Sequence, residues 1–174
     1  MFWITLVRDF IKILREGQTP AQVAGGFALG SILGLSPMLT LQGIVVWLII
    51  LVLNVNLAAA LLSLSVFSLV AWLLDPLFHW VGYQVLVNID ALQATWTALY
   101  NAPVAPLTRF NNTVVMGSFV SALVLFVPVY IGMKRFVVAF RTSVGQKISR
   151  WKVYQILKQS SLVQWYEKLR GLGG

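Results

Sequence analysis

Residues 24–37 read AGGFALGSILGLSP. The run is apolar enough for hydrocarbon, yet Gly26, Gly30 and Gly34 recur every fourth residue and Ser36-Pro37 ends it. At helical spacing the three glycines share one face, where missing side chains let another backbone approach closely. Proline disfavours helix at the residue before it, so the helix should stop at Ser36. Its start is marked too. Thr19 suits the N-cap, Pro20 the first helical position, and Gln22 the place from which a capping box returns to the backbone. A helix over 20–36 is about 25 Å long at ~1.5 Å per residue, shorter than the ~30 Å hydrocarbon core. The following segment 37–53, PMLTLQGIVVWLIILVL, is about as short. This predicts a helix, a break at Ser36 and Pro37, and a second helix, the two arms packed face to face.

Outward from this unit the chain stays apolar. Asn54-Val55-Asn56 makes a polar turn, and residues 57–74 read as a third helix that Asp75-Pro76 should end. Asp75 with Pro76 then reads as the start of a short helix over 76–89, and Asp90 with Gln93 as the start of another over 91–100, both on the outer face. Residues 101–106 are loop. VVMGSFVSALVLFVPVYIGM (114–133), with Asn112 as its cap, is long enough to span outright. Residues 2–16 place Arg8, Asp9, Lys12, Arg15 and Glu16 on one helical face and Leu6, Phe10, Ile13 and Leu14 opposite, as an interfacial helix does.

Composition agrees. Of 174 residues, 59% are hydrophobic and 10% charged, which is not a soluble balance. From Gly17 to Leu74 there is no Asp, Glu, Lys or Arg, and between there and Met133 only Asp75, Asp90 and Arg109 occur. The net charge of +8 belongs mainly to residues 134–174, with nine Lys/Arg against Glu167. Beside membrane spans such a tail meets anionic headgroups at the cytoplasmic face, and Lys134, Arg135, Arg141, Lys147, Arg150 and Lys152 are its candidate contacts. Nucleic acid is not the expected partner, since no fold or motif for it is visible. Without cysteine and with one histidine, neither a thiolate nor a histidine-rich metal centre is expected, and no cofactor motif appears.

The expectation is an all-α integral membrane protein. An interfacial helix over 1–17 precedes a membrane domain of broken and spanning helices over 18–133, and a basic cytoplasmic tail covers 134–174. Both termini are basic and should be cytoplasmic, so the number of crossings is even. Four crossings satisfy this. So does a re-entrant hairpin over 20–53 followed by crossings at 57–74 and 114–133.

TPAQVAGGFALGSILGLSP (19–37), NVNLAAALL (54–62) and DPLFHWVG (75–82) resemble an uncharacterised bacterial membrane family, domain of unknown function 2062. Pro20, Gly26, Gly30, Pro37, Asn56, Pro76 and Gly82 carry the pattern, and the family's Asn-Pro is Asp75-Pro76 here. The whole chain looks closest to a subgroup from bacteria with outer membranes whose genes tend to be paired with that of a large envelope protein. The resemblance implies an inner-membrane protein serving the envelope as one part of a two-component system. It implies no settled activity.

Other candidates follow from residue type. Asp75 and His79 lie one turn apart. We read them as a helix cap and an interfacial histidine, with a proton-relaying pair as the alternative. Arg109 either pairs with Asp75 or Asp90 or snorkels from a loop. Thr40, Gln42, Ser63, Ser65 and Ser68 sit in apolar helices, expected to bond between helices or to their own backbone, with a substrate path as the alternative. No catalytic constellation is apparent, so an enzyme is not expected. The leading expectation is a subunit that anchors an envelope partner in lipid transport toward the outer membrane. The alternative is an autonomous lipid flippase or solute transporter that uses the broken helices.

Overall fold

The computed structural model describes residues 18–150, with side chains through Ser143. Among the described residues the regular structure is all helical. It comprises α1 (Pro20–Leu35), α2 (Leu41–Val52), α3 (Leu57–Val87), α4 (Asp90–Tyr100), a short 3-10 turn (Ala105–Thr108) and α5 (Thr113–Arg150). The chain divides into two compact units, Met1–Val137 and Val138–Gly174. The amphipathic segment 2–16 and the tail beyond Arg150, Lys152 included, lie outside the described residues.

Short-range chemistry sets the ends of α1 and α2. The Gln22 N–H donates to Thr19 Oγ1 at 3.2 Å and the Thr19 N–H donates to Gln22 Oε1 at 2.9 Å, which closes a capping box. Ser36 leaves the helix in an extended conformation, its N–H still donating to the Ile32 carbonyl at 3.0 Å. Thr40 opens α2, donating to the Pro37 carbonyl at 2.8 Å and accepting from the Gly43 N–H at 3.4 Å. A Cβ at Gly43 would run into the Met38 carbonyl oxygen, so the tight entry to α2 needs glycine there. The second arm is therefore shorter than its apolar run, starting at Leu41 rather than Pro37.

The glycine row packs against α3, which corrects the expected pairing of the two arms. A Cβ at Gly26 would strike the Asn56 carbonyl oxygen, and one at Gly30 the Ala60 carbonyl oxygen. At Gly34 it would lie 2.7 Å from both Leu64 O and Phe67 Cβ. The two numberings rise together, so α1 and α3 run parallel. The contact of α1 with α2 is far smaller. The Asn56 N–H donates to the Gln22 carbonyl at 3.0 Å, so α2 delivers the chain back to the start of α1. Thus α1 and α2 form a hairpin whose two open ends lie together beside the start of α3.

α3 does not stop at Asp75-Pro76, which corrects both the break predicted there and the separate helix over 76–89. It runs unbroken for 31 residues with Pro76 inside. A proline in mid-helix removes one hydrogen bond and crowds the preceding turn. Here packing outweighs that loss. Ala60, Leu64, Phe67, Ala71, Leu74, Phe78 and Gly82 form one stripe of buried or core-packed residues at spacings of three and four, while Pro76 is exposed off the stripe. Its first part receives α1 and its last part receives α5. A Cβ at Gly82 would strike the Thr113 carbonyl oxygen, and one at Gly117 the Phe78 carbonyl oxygen. One numbering rises as the other falls, so α3 and α5 run antiparallel here. Pro128 is likewise carried inside α5.

α4 folds back on the end of α3, with Trp96 Nε1 donating to the Val85 carbonyl at 3.2 Å. Its cap differs from the one predicted. Ile89 occupies the N-cap with no side-chain hydrogen bond, Asp90 is the first helical residue, and Gln93 Nε2 donates to the Leu86 and Val87 carbonyls. Two helices, Leu57–Val87 and the Thr113–Ser143 part of α5, are long and apolar enough to cross a membrane. Only 17% and 22% of their most apolar windows are buried, far less than the core helix of a soluble protein would bury. Within the second unit the described residues are helical, and Thr142 Oγ1 donates to Ala139 O at 3.0 Å.

Candidate functional site

Three of the polar candidates, Ser36, Thr40 and Gln42, lie at the hairpin tip. Gln42, in the first turn of α2, donates from Nε2 to the Thr108 carbonyl at 2.9 Å, a bond across 66 residues that ties the tip to the 3-10 turn. Beneath it Ser36, Pro37, Gln42 and Gly43 line a narrow crevice closed by Leu33, Val46 and Phe119. Ser36 Oγ and Gln42 Oε1 are both buried there with no hydrogen-bond partner among the described residues. Buried polar atoms are nearly always paired, so two in one crevice mark it as unusual. Thr40 is spent on capping.

The serines of α3 do not join this cluster. Ser65 Oγ donates to the Leu61 carbonyl at 2.9 Å and Ser68 Oγ to the Leu64 carbonyl at 2.7 Å, so both turn back on their own helix. Ser63 is fully buried, its Oγ without a hydrogen-bond partner among the described residues.

Asp75 lies exposed within α3, so the cap read for it is absent. The His79 ring reaches α5 instead of Asp75, with Nδ1 at 2.7 Å from Thr113 Oγ1. That bond sits beside the Gly82–Thr113 contact and helps pin the α3–α5 crossing. Arg109 follows the 3-10 turn in a left-handed conformation (φ 54°), its N–H donating to the Pro106 carbonyl at 2.9 Å. It is exposed, as a loop residue reaching for water would be.

Beside the tip lies an apolar groove of about 460 Å³, bounded by Leu29 and Ile32 of α1, Val45 and Ile49 of α2, and Leu123 and Phe126 of α5. An adjoining lobe of about 280 Å³ runs along α5 past Val115, Met116 and Val120. Both share Gln42, Thr108, Phe119 and Leu123, so the Gln42–Thr108 bond stands where they meet. Sequence reading missed Thr108 and Phe119, which carry no local signal. It also missed the crossing at Gly82 and Gly117, for which Phe78-xxx-Gly82 and Thr113-xxx-Gly117 were a readable signal.

Of the basic candidates, Lys134 stands 6.0 Å from the centroid of the Tyr130 ring and Arg135 is exposed. Arg141 belongs to the second unit. At Lys147 and Arg150 the helical backbone alone is described.

Residues 5–144 match the model of the family described as "Uncharacterized protein conserved in bacteria (DUF2062)". The chain belongs to this family. An uncharacterized protein of Treponema pallidum (strain Nichols) is 29% identical over 154 residues, covering 88% of this chain and 94% of that protein. No solved structure matches significantly. The residues that carried the resemblance to the DUF2062 family have structural places here. Pro20 opens α1, Gly26 and Gly30 touch α3, Pro37 follows the end of α1, and Gly82 touches α5. Asn56 caps α3, accepting from the Ala59 N–H at 2.7 Å, and Pro76 lies within it.

Proposed function

We propose that this chain is a non-enzymatic subunit of the bacterial inner membrane that anchors a larger envelope partner, in lipid transport toward the outer membrane. One observation carries the reading. The outer side of α3 presents a broad apolar face, with Leu69, Trp72, Leu73 and Trp80 exposed and Trp72 at 78%. Such a face suits hydrocarbon and a partner's helix. In this reading α3 and α5 cross the bilayer and both termini are cytoplasmic. The α1–α2 hairpin enters and leaves on the cytoplasmic side, and the basic residues from Lys134 onward meet anionic headgroups there. The joined ends of the hairpin at Gln22 and Asn56 support this path, as do the exposed, apolar Met38 and Leu39 at its tip.

A second reading has its own observation. Ser36 Oγ and Gln42 Oε1 lack partners among the described residues, and such atoms suit a path whose other state hydrates them or pairs them with substrate. The chain would then be an autonomous lipid flippase or solute transporter. Isolation from native membranes in a mild detergent separates the two. The subunit reading expects a large envelope protein to co-purify stoichiometrically, with altered envelope lipids in a deletion strain. Recovery as a free monomer that moves labelled lipid in liposomes would overturn it.

A further inference from the structure

The groove beside the hairpin tip shares its helix face with a cation. Phe119, Leu123 and Phe126 of α5 line the groove. Tyr130 stacks on Phe126 with ring centroids 6.5 Å apart and planes at 16°, and the Lys134 ammonium lies 6.0 Å from the Tyr130 centroid. Positions 119, 123, 126, 130 and 134 follow one face of a helix. From Phe119 to Lys134 the helix rises about 22 Å at ~1.5 Å per residue. One leaflet with its headgroups is as deep, being half of a bilayer of ~40–45 Å.

We propose that this groove is a binding site for one anionic phospholipid, with an acyl chain along Phe126, Leu123 and Phe119 and the phosphate at Lys134. The lining argues for a chain. Apart from Gln42 and Thr108 it is apolar, and these two are bonded to each other. Its volume of about 460 Å³ is that of a small-molecule site. The rim residues Val45, Ile49 and Leu123 are exposed apolar side chains, the last on a helix long enough to span, so the groove opens to hydrocarbon. A charged headgroup gains little by following the chain inward, because the lining carries no charged group to pair with it. At the other end Tyr130 suits the wet–dry boundary, and Lys134 with the neighbouring Arg135 supplies positive charge to a phosphate. General attraction of a basic tail to a membrane needs no groove, so this site is a separate claim. It holds with or without the envelope partner.

The test uses full-length protein in phosphatidylethanolamine–phosphatidylglycerol vesicles, with phosphatidylglycerol carrying a diazirine on one acyl chain. After photolysis, the peptide holding Leu123 and Phe126 should be labelled several-fold more than the one holding Trp72 and Leu73, a comparably exposed apolar face. Leu123→Trp, which fills the groove, should bring labelling down to the Trp72 level. Lys134→Gln should lower it about fivefold, the equivalent of the ~1 kcal/mol one basic residue contributes at an anionic surface. A phosphatidylcholine probe, whose phosphate is offset by its own cation, should respond less to Lys134→Gln than phosphatidylglycerol does. Equal labelling of the two faces in the wild type means ordinary boundary lipid and overturns the site. Undiminished labelling in the variants overturns it too. If Leu123→Trp fails to fold, Lys134→Gln at its exposed position decides.

Discussion

Gly82 of α3 and Gly117 of α5 meet backbone to backbone, so close that a Cβ on Gly117 would lie 2.7 Å from the Gly82 nitrogen. Room for a side chain there can come only from moving the two backbones apart, which costs the packing between the helices. Gly82→Ala and Gly117→Ala should each cost about 1–3 kcal/mol, the usual range for overpacking. Gly132 has open space around it. Gly132→Ala should be neutral, or stabilising by up to ~1 kcal/mol through helix propensity. Thermal midpoints in detergent check this, and equal midpoints for all three variants would refute the crossing.

The same comparison applies to the α1–α3 contact. Gly30 faces backbone at Ala60, whereas a Cβ on Gly25 would lie 3.2 Å from the Val55 Cγ1 side-chain atom, which can move. Gly30→Leu should be the worst single change in the row, because relaxation at a helix end cannot absorb it. Gly25→Ala should cost less, about 1 kcal/mol at most, because only a side-chain tip and not a backbone has to give. Folded yield after size-exclusion chromatography would show the difference.

Pro76→Ala tests the continuity of α3. If the helix runs through Pro76, alanine restores a backbone donor and relieves crowding on an exposed face. Stability should be unchanged or raised, within the ~3 kcal/mol that separates proline from alanine in a helix interior. A marked loss of folded protein would mean that the break, and not the continuous stripe, holds this region.

Asn56 serves both the cap of α3 and the joint of the hairpin, since its side chain binds the Ala59 N–H and its N–H binds the Gln22 carbonyl. Asn56→Ala should cost about 1 kcal/mol for the lost cap. Asn56→Ser keeps a capping oxygen and should recover part of that. Denaturation of the two variants side by side checks the order.

Topology is open to single cysteines, as the chain has none. We expect Asn54→Cys to react from the cytoplasm and Ala102→Cys from the outside. Leu39→Cys, at the hairpin tip, should be protected from both, whereas outside labelling there would mean four crossings.

Much of this was legible because helix ends are written within a few residues. Thr19 with Gln22 announces α1, and Asn56 and Asn112 announce the next long helices. Asn112 Oδ1 accepts from the Val114 N–H at 2.9 Å. Pro76 misled because a local rule was applied where a longer pattern outweighed it. The stripe from Ala60 to Gly82 keeps helical spacing straight past the proline, whereas a real break would have reset the phase. Pro37 differs: Thr40, three residues on, gives the chain a new cap, and Gly43 admits the tight entry.

The sequence alone determined that the chain is helical and apolar, and that one face of α1 must be approached closely. Those properties depend on neighbours three or four residues away. Only the tertiary structure decided that α3 rather than α2 occupies that face, in parallel, and that α5 takes the rest of the same stripe. Apolar contact has no direction of its own, so several helices could have filled the glycine row equally well. The choice came from contacts no local pattern encodes, among them Asn56 on Gln22 and Gln42 on Thr108.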